Sequence, residues 1–456
     1  AIRSIFKEWA LVVIIILITG SNLITQNFFF DFRNSGYGMT YKTSQTENRI
    51  FNKDYYNSLD FQGDYLKTIN ILNNWKARNI NPEHPEELPW IVFINTSGGG
   101  MKSMIWTYYS LSYTDSVLNG QLLSGSFMIT GASGGMIGAS FLRELYYRKL
   151  QGQMKSYYSD SLLNGLSRDI LNPVAFSFSL NDWFFKIKRF RHKGLSYYKD
   201  RAYSFENKLN ENTGYILDKP ISAYKEAEFN AEIPMIVLTP TVINDGRIMY
   251  ISPQDISYFL INEFNRKKEF HANVEFRRLY KNYNSDSLRY LSALRMNATF
   301  PYVTPIVAMP GVPQLQIMDA GIRDNYGLST SLLFLNIFRD WIRENTSGVI
   351  FLQVTEVTEK TEEENKSILY QFFWPMGNVY QNIFNTQEIH NEQLIEFSDK
   401  WISDNIKFIN LSLDTRNDNI SLSWHLTKKE KEQILKSIVS PDNRNSIEEL
   451  KSLLDK

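Results

Sequence analysis

The chain repeats one hydrophobic pattern, in which a short apolar run is followed by a glycine-rich turn and then by a segment with helical periodicity. The run 90–94 predicts a buried strand, and residues 104–118 predict the helix that follows it. The run 127–130 and the segment 136–150 repeat this arrangement. Strands that alternate with helices in this way are typical of an α/β architecture, in which helices cover a sheet.

The same pattern continues beyond residue 300. Residues 328–343 predict a helix and residues 349–354 predict another buried strand. Residues 356–456 follow as a C-terminal extension, which we expect to complete the sheet and to pack on the preceding domain. Its first part, 356–366, is rich in charge and is interpreted as a solvated linker.

Two further elements are predicted inside this extension. Residues 408–413 alternate between apolar and polar side chains, as a half-buried strand does. Thr427 is followed three residues later by Glu430, a capping-box pair that predicts a helix running to residue 439.

The N-terminal segment, residues 1–30, carries the strongest hydropathy signal. An apolar stretch over 9–24 follows Arg3 and Lys7, and an aromatic cluster over 28–30 comes after it. About 20 apolar residues are needed to span the hydrocarbon, so the stretch is slightly short. We expect a membrane-anchor helix here, with a signal-like anchor and a buried hydrophobic segment as the alternatives.

Composition removes several classes of function. The chain has 456 residues, 49 basic and 49 acidic, and a formal net charge of zero, which argues against non-specific nucleic-acid binding by the whole molecule. It contains no cysteine, so thiol catalysis, disulfides and cysteine-based metal sites are excluded. No His, Asp and Glu spacing indicates a metal site, and 43% hydrophobic content suffices for a sizeable core.

The first candidate for chemistry is the pentapeptide 131–135, which has the pattern G-x-S-x-G. Gly131 and Gly135 flank a turn with Ser133 at its centre, between a predicted strand and a predicted helix. Small neighbours permit the sharp turn that projects a nucleophilic serine outward. The alternative is an ordinary tight connection between strand and helix.

A glycine triplet, Gly98 to Gly100, lies between the first predicted strand and its helix. Backbone N–H groups at such a position point their positive ends at whatever anion is present, which suits a phosphate or an oxyanion. The phosphate-loop pattern G-x-x-x-x-G-K-[ST] is not met, because Lys102 follows with the wrong spacing. Nucleotide binding is therefore the minor alternative.

The third candidate is Asp319, which follows an apolar run and begins the sequence Asp319-Ala320-Gly321. An aspartate after a strand lies at the carboxyl end of a sheet, where open α/β folds build their sites. A simple turn is the alternative.

In this order, the three motifs resemble those of the patatin-like phospholipases of the bacterial type, whose pattern is G-G-G-x-[KR]-G, G-x-S-x-G and D-G-[GA]. The small-residue, proline-ended segment 293–301 is similar to one that the family carries before its aspartate. The resemblance covers roughly residues 88–355. It departs from the pattern at Ser103 and Ala320, where the family usually has glycine, and each departure makes the backbone less permissive.

The resemblance implies a three-layer fold with a mixed central sheet between helices. We accordingly divide the chain into an anchor (1–30), a connector (31–88) that contains a predicted amphipathic helix near 65–75, and a catalytic domain (89–355). A lid or insertion is expected at about 155–290, before the C-terminal extension.

The resemblance also implies the site. Ser133 is the expected nucleophile and Asp319 the base of a Ser-Asp dyad, with Gly99 and Gly100 as oxyanion donors and Gly134 as a further donor. The remaining motif glycines are Gly98, Gly131, Gly135 and Gly321. A dyad fits the histidine content, because none of the five histidines lies in a segment with another catalytic signature.

The implied function is a lipid acyl hydrolase of the phospholipase A or lysophospholipase type, which cleaves acyl esters through an acyl-enzyme. It requires no cofactor or metal. Its expected partners are a membrane phospholipid or lysophospholipid and the bilayer, with no nucleic acid, at a bacterial inner membrane. The rival from another class is a catalytically silent lipid-binding or scaffold protein, which the departures at Ser103 and Ala320 keep open.

Residues 176–193, inside the expected insertion, interleave aromatic residues with five basic ones. We weigh two interpretations. One is a lid or cap helix whose aromatic side chains enter the core. The other is an interfacial segment with its aromatic residues at the acyl boundary and its Lys and Arg at anionic headgroups.

Overall fold

The structure is a computed structural model that describes residues 34–41, 50–178, 188–260, 273–300, 303–357, 387, 393, 395, 405–415 and 420–455. The predicted anchor, residues 1–30, lies outside these ranges. Among the residues within them, no helix combines the length and the apolar character that crossing a bilayer requires.

Helices and strands alternate along most of the described chain. The helices are α1 (Lys53–Ser58), α2 (Phe61–Asn79), α3 (Gly100–Val117), α4 (Gln121–Gly125), α5 (Ser133–Leu150), α6 (Asp160–Leu166), α7 (Leu171–Ser177), α8 (Arg201–Asn212), α9 (Lys225–Phe229), α10 (Phe276–Leu279), α11 (Tyr290–Asn297), α12 (Gly321–Asp324), α13 (Leu328–Ile337), α14 (Arg339–Asn345), α15 (Lys428–Lys436) and α16 (Pro441–Leu454). The strands are β1 (Trp90–Thr96), β2 (Ser126–Gly131), β3 (Arg189–His192), β4 (Leu195–Tyr198), β5 (Met235–Leu238), β6 (Thr241–Val242), β7 (Arg247–Tyr250), β8 (Val274–Glu275), β9 (Val307–Ala308), β10 (Gln316–Met318), β11 (Gly348–Val357) and β12 (Ile406–Asp414). Short 3-10 turns cover Ile221–Tyr224, Ser257–Leu260, Lys281–Tyr283, Ser285–Ser287 and Ser437–Val439.

The centre of the molecule is a parallel five-stranded sheet in the order β12-β11-β1-β2-β5. Every residue of β1 and of β2 is buried, as expected for strands covered on both faces. Alternate residues of β1 enter different cores: Val92 and Ile94 pack with α3 and α5, while Ile91 and Phe93 pack with α2 and α13. The fold is therefore α/β with helices on both faces of a parallel sheet.

The central sheet differs from the expected mixed sheet, because all of its described strands are parallel. Each of its strands is joined to the next by a long crossover, and parallel pairing requires such connections. Antiparallel pairs occur in a second five-stranded sheet, β8-β7-β6-β10-β9, whose strands have two to four residues each, and in the separate β3–β4 hairpin. The edge strand β5 also lies inside the range 155–290, which the sequence assigns to an insertion.

The predicted elements around the central sheet are present with shifted ends. The helix expected over 328–343 is interrupted at Phe338, whose backbone leaves the helical region between α13 and α14. Its ring stacks on Tyr65 of α2, with the ring centroids 4.8 Å apart. The capping box at Thr427 is confirmed and begins α15. Strand β12 pairs with β11, so the C-terminal extension contributes a strand to the central sheet.

The basic and aromatic segment 176–193 contains a strand in its described part instead of a continuous helix. Residues 179–187 lie outside the description, and β3 and β4 form an antiparallel hairpin after them. The two loop residues are Lys193 and Gly194, with φ of 47° and 80°. Two positive φ values match the tight turn that suits a two-residue hairpin, so the glycine at the second position favours the hairpin.

Residues 34–41 form a buried segment that we call the N-terminal strap. Tyr37 and Met39 are fully buried, and Asn34 hydrogen-bonds to Asp200. Arg295 of α11 donates to Asn34 Oδ1 at 3.0 Å and to the Ser35 carbonyl at 2.8 Å. The strap is therefore an integral part of the core.

The strap covers a buried ionic network centred on Glu206 of α8. Its carboxylate accepts from Arg295 Nε at 2.7 Å, from Arg289 at 3.1 Å and from the Ser292 hydroxyl at 2.7 Å. Burial makes each of these partners necessary, because an unpaired charge in the interior is far more costly than one in water.

We expect Glu206→Gln to lower the free energy of unfolding by about 3–5 kcal/mol, because Arg295 would keep its charge in the interior without a carboxylate. The matched control is Glu211→Gln on the same helix, where the Lys208 pair is partly exposed at 3.0 Å and is worth less than about 1 kcal/mol. Urea denaturation of both variants checks this. Equal losses in the two variants would contradict the role given to the network.

Candidate active site

Ser133 occupies a strained turn at the carboxyl end of β2. Only Ala132 separates it from the strand, and it is the first residue of α5. Its φ is +49°, a left-handed conformation that is uncommon for a residue other than glycine. Backbone strain of this kind is concentrated at functional sites. The turn therefore has the strand-turn-helix form expected of a nucleophile elbow.

Three glycines allow the elbow to approach the backbone that leaves β1. A Cβ atom on Gly131 would lie 2.0 Å from the Thr96 carbonyl oxygen, and one on Gly135 would lie 2.4 Å from that of Ser97. One on Gly134 would lie 1.8 Å from the carbonyl oxygen of Gly100. No side chain fits at these positions, so the backbone of the elbow is in direct contact with the glycine triplet.

The glycine triplet forms the turn between β1 and α3. Gly99 and Gly100 have φ of 148° and 63°, and α3 begins at Gly100. Within the described part of the chain, the backbone N–H groups of Gly99, Gly100 and Gly134 donate to no backbone acceptor. These donors lie at the positive ends of α3 and α5, so they suit a developing negative charge.

Ser103, a departure from the family pattern, has a structural function in the loop. Its hydroxyl donates to the Ser97 carbonyl at 2.6 Å, which closes the turn that carries the triplet. A glycine here would have no side chain for this bond. The serine therefore compensates for its lower backbone freedom with a local hydrogen bond.

Beside Gly99, Lys102 forms an ion pair with Glu356. Their side chains are only 9% and 14% exposed, and the Thr415 hydroxyl also donates to Glu356 at 3.1 Å. The expected solvated linker over 356–366 is thus wrong for Glu356, which belongs to β11. Residues 358–366 lie outside the described ranges.

Asp319 follows β10, and its carboxylate meets Ser133. It accepts a hydrogen bond from the Ser133 hydroxyl and another from the Gly321 N–H at 2.7 Å. Burial raises the pKa of Asp319 to about 7, and these two hydrogen bonds oppose the rise. The structure therefore joins a serine hydroxyl to a carboxyl group that titrates near neutral pH.

Asn297 at the end of α11 connects the elbow to the aspartate and was not singled out by the sequence. Its side chain is fully buried, donates to the Gly131 carbonyl at 3.0 Å and accepts from the Thr239 N–H at 2.9 Å. Its own carbonyl accepts from the Ala320 N–H at 3.3 Å. The only sequence signal for it is a polar residue inside the small-residue segment 293–301.

Asn325 is a second residue that the sequence did not single out. Its Oδ1 accepts from the Gly98 N–H at 3.1 Å. A Cβ atom added to Gly98 would lie 2.6 Å from this oxygen and 3.3 Å from the Ser133 Cβ. The Asn325 amide therefore borders the same small space as the nucleophile candidate.

None of the described histidines forms a hydrogen bond or an ion pair with Ser133 or Asp319. His84 is exposed and 3.4 Å from Glu86, His425 is 3.3 Å from Asp169, and His192 belongs to the β3–β4 hairpin. His271 and His390 lie outside the described ranges. Among the residues that are described, no group of three or more metal-ligating side chains comes together.

No protein-family model and no curated protein matches the chain. Among solved structures, human GIVD cytosolic phospholipase A2 in complex with methyl gamma-linolenyl fluorophosphonate inhibitor and terbium chloride is similar at a TM-score of 0.41 and 12% identity, covering 87% of this chain and 63% of that one. A second structure of human GIVD cytosolic phospholipase A2 gives 0.36 and 14%, covering 64% and 47%. VipD from Legionella pneumophila gives 0.28 and 12%, covering 81% and 67%. These TM-scores are too low to support an argument, so the interpretation of the site depends on its own geometry.

We expect Asp319→Asn to change how stability depends on pH. The folded chain holds the Asp319 proton up to about pH 7, whereas the unfolded chain releases it near 4, so the ionised carboxyl destabilises the wild type as pH rises between these values. From pH 5 to pH 8, the variant should gain about 2 kcal/mol relative to the wild type in urea denaturation. Ser133→Ala keeps the carboxyl group but removes one hydrogen bond that lowers its pKa, so its stability should still fall as pH rises, over a range that extends to higher pH. If the free energy of unfolding changed with pH in the same way for Asp319→Asn and the wild type, the raised pKa of Asp319 would be contradicted.

Gly134→Ala should force the elbow and the glycine triplet apart, because its methyl group would overlap the Gly100 carbonyl. We expect a loss of about 3 kcal/mol in the free energy of unfolding. Gly125→Ala is the control, since a Cβ there meets only Val92 at 4.0 Å. Thermal and urea unfolding of both variants measures the difference. A Gly134→Ala variant as stable as the wild type would show that the elbow and the Gly100 carbonyl are not in close contact.

Proposed function

We propose that the protein is a serine acyl hydrolase that cleaves ester bonds of lipids, with Ser133 as nucleophile and Asp319 as base. The observation that carries this proposal is the hydrogen bond from the Ser133 hydroxyl to a buried carboxylate whose pKa lies near 7. A base with a pKa close to the working pH is both available in its ionised form and strong enough to take a proton.

In the first half-reaction, Asp319 takes the hydroxyl proton as the Ser133 oxygen attacks the ester carbonyl. The carbonyl electrons move onto oxygen, and the N–H groups of Gly99, Gly100 and Gly134 receive the resulting oxyanion. When the carbonyl re-forms, the alcohol leaves and takes the proton from Asp319. The product is an acyl-enzyme on Ser133.

In the second half-reaction, Asp319 takes a proton from water as the water oxygen attacks the acyl carbonyl. Collapse of the second oxyanion breaks the bond to Ser133, and the proton returns from Asp319 to the serine oxygen. The fatty acid leaves, and the enzyme returns to its starting state. No metal or cofactor takes part in these steps.

A lipid ester is the substrate class that the motifs favour. The order and spacing of the glycine triplet, the elbow and Asp319 resemble those of patatin-like phospholipases, and residues 1–30 have the hydropathy of a membrane segment. We place a phospholipase A or lysophospholipase-type reaction at a bacterial inner membrane within this proposal.

A catalytically silent lipid-binding protein is the second candidate. It is favoured by the burial of the site, because Ser133 is only 6% exposed and Asp319 only 5%. A substrate reaches the dyad only if the surrounding chain moves, whereas a silent protein needs no such access.

Labelling with a fluorophosphonate probe, located by mass spectrometry, separates the two candidates. We expect the wild type to be labelled at Ser133 in detergent, Ser133→Ala to be unlabelled, and Asp319→Asn to react at least about 100-fold more slowly because it lacks the base. Ser140→Ala on the same helix is the control and should react as the wild type does.

The pH dependence gives an independent check. Asp319 accepts a proton only when ionised, so the labelling rate should rise with pH and reach half of its maximum near pH 7. A folded wild type that is not labelled even with lipid vesicles present would refute the hydrolase and favour the silent lipid-binding protein.

A further inference from the structure

The β3–β4 hairpin presents a positively charged surface to solvent. Lys188, Arg189, Arg191 and Lys193 are all exposed. Within the described part of the chain, none of the four forms an ion pair with a carboxylate. We call these four residues the basic hairpin face. The whole chain has no net charge, so this cluster is a local departure from electroneutrality.

The opposite side of the hairpin fixes this face in place. Phe190 alternates with the basic residues and packs against Tyr37 and Tyr203, with ring centroids 4.9 and 4.4 Å apart. The Tyr197 hydroxyl accepts from the Gly38 N–H at 2.9 Å and donates to the Met39 carbonyl at 2.8 Å. The hairpin is therefore seated on the N-terminal strap, and its cations point away from the core.

We propose that the basic hairpin face docks on the anionic phospholipid headgroups of a bilayer. Arg and Lys side chains donate to phosphate oxygens, and Arg can do so with two N–H groups at once. Each basic residue near an anionic surface adds attraction that falls off within a Debye length. The face thus gives the site a preference for anionic membranes.

The position of the N-terminal segment favours a bilayer over a nucleic acid as the occupant. The strap begins at Asn34, four residues after the aromatic cluster 28–30 that ends the predicted anchor segment. Four residues of extended chain reach at most about 14 Å. Since the strap contacts the hairpin directly, a membrane that receives residues 1–30 comes within reach of the basic hairpin face.

This inference rests on the proposed function and deepens it, because a lipid hydrolase must approach a bilayer. Binding is nevertheless measured without hydrolysis. The two hypotheses can therefore fail separately, as the following experiment is designed to show.

The test uses the full chain, transferred from detergent to vesicles of phosphatidylcholine alone or with added phosphatidylglycerol. The readout is the ratio of the two partition coefficients, in which any contribution of residues 1–30 cancels. The variant replaces Lys188, Arg189, Arg191 and Lys193 by Gln. We expect the wild-type ratio to exceed that of the variant by about 100-fold at low salt, and the excess to fall as salt is added.

The matched control removes the same number of positive charges elsewhere on the surface, through Lys428→Gln, Lys429→Gln, Lys436→Gln and Lys451→Gln in α15 and α16, all of which are exposed. It should keep the wild-type ratio. A second variant, Arg191→Gln with Lys193→Gln, retains Arg189 and its hydrogen bond to the Tyr198 hydroxyl and should lose about 10-fold. Should the fourfold variant not fold, this double variant decides the question.

A fourfold variant that keeps the wild-type ratio overturns the inference, and so does a wild type that binds single-stranded oligonucleotide but shows no preference for anionic vesicles. Fluorophosphonate labelling of the same samples in detergent separates the two hypotheses. A labelled wild type whose fourfold variant retains anionic preference refutes the docking alone. An unlabelled wild type that loses anionic preference in the variant refutes the hydrolase alone.

Discussion

The structure depends on a direct backbone contact between two turns at the carboxyl edge of the central sheet. β1 and β2 are adjacent and parallel, so the glycine triplet and the elbow leave the sheet side by side. Glycine at 134 and 135 lets the backbones of the two turns touch without intervening side chains. Because of this contact, the glycine triplet lies beside the nucleophile candidate: a Cβ added at Gly98 would lie 3.3 Å from the Ser133 Cβ. The strained φ of Ser133 is held by the strand before it and the helix after it.

The carboxylate comes from the second sheet. Asp319 follows β10, and its backbone N–H donates to the Thr299 carbonyl at 3.1 Å, while Asn297 reaches across to the elbow. The candidate dyad therefore bridges two sheets, and Asn297 at the end of α11 is bonded to both sides through Gly131 and Ala320. The same enclosure removes water from the carboxylate, which is why its pKa is raised. The enclosure that holds the Asp319 carboxyl in place therefore also raises its pKa.

The sequence predicted the features that are encoded locally. Apolar runs located β1, β2 and β11, and glycine patterns located the two turns and the hydroxyl that meets Asp319. It missed features that join distant parts of the chain: Asn297 lies 166 residues from Gly131, and Lys102 lies 254 residues from Glu356. No local pattern shows that such residues meet. The parallel central sheet was missed for a related reason, since strand direction follows from how the connections cross the sheet. The catalytic roles of the site residues stay predictions.

The N-terminal strap has a consequence for proteolysis. Its Asn34 and Ser35 oxygens accept hydrogen bonds from Nη2 of the buried Arg295, and its Tyr37 ring supports the hairpin. A cut between residues 30 and 34 would separate the hydrophobic N-terminal segment from a complete folded body. A cut after residue 41 would leave the strap bound only by non-covalent contacts, and its loss would leave Arg295 Nη2 without the Asn34 and Ser35 acceptors. Proteolysis that releases the folded body with its strap in place must therefore cut before Asn34.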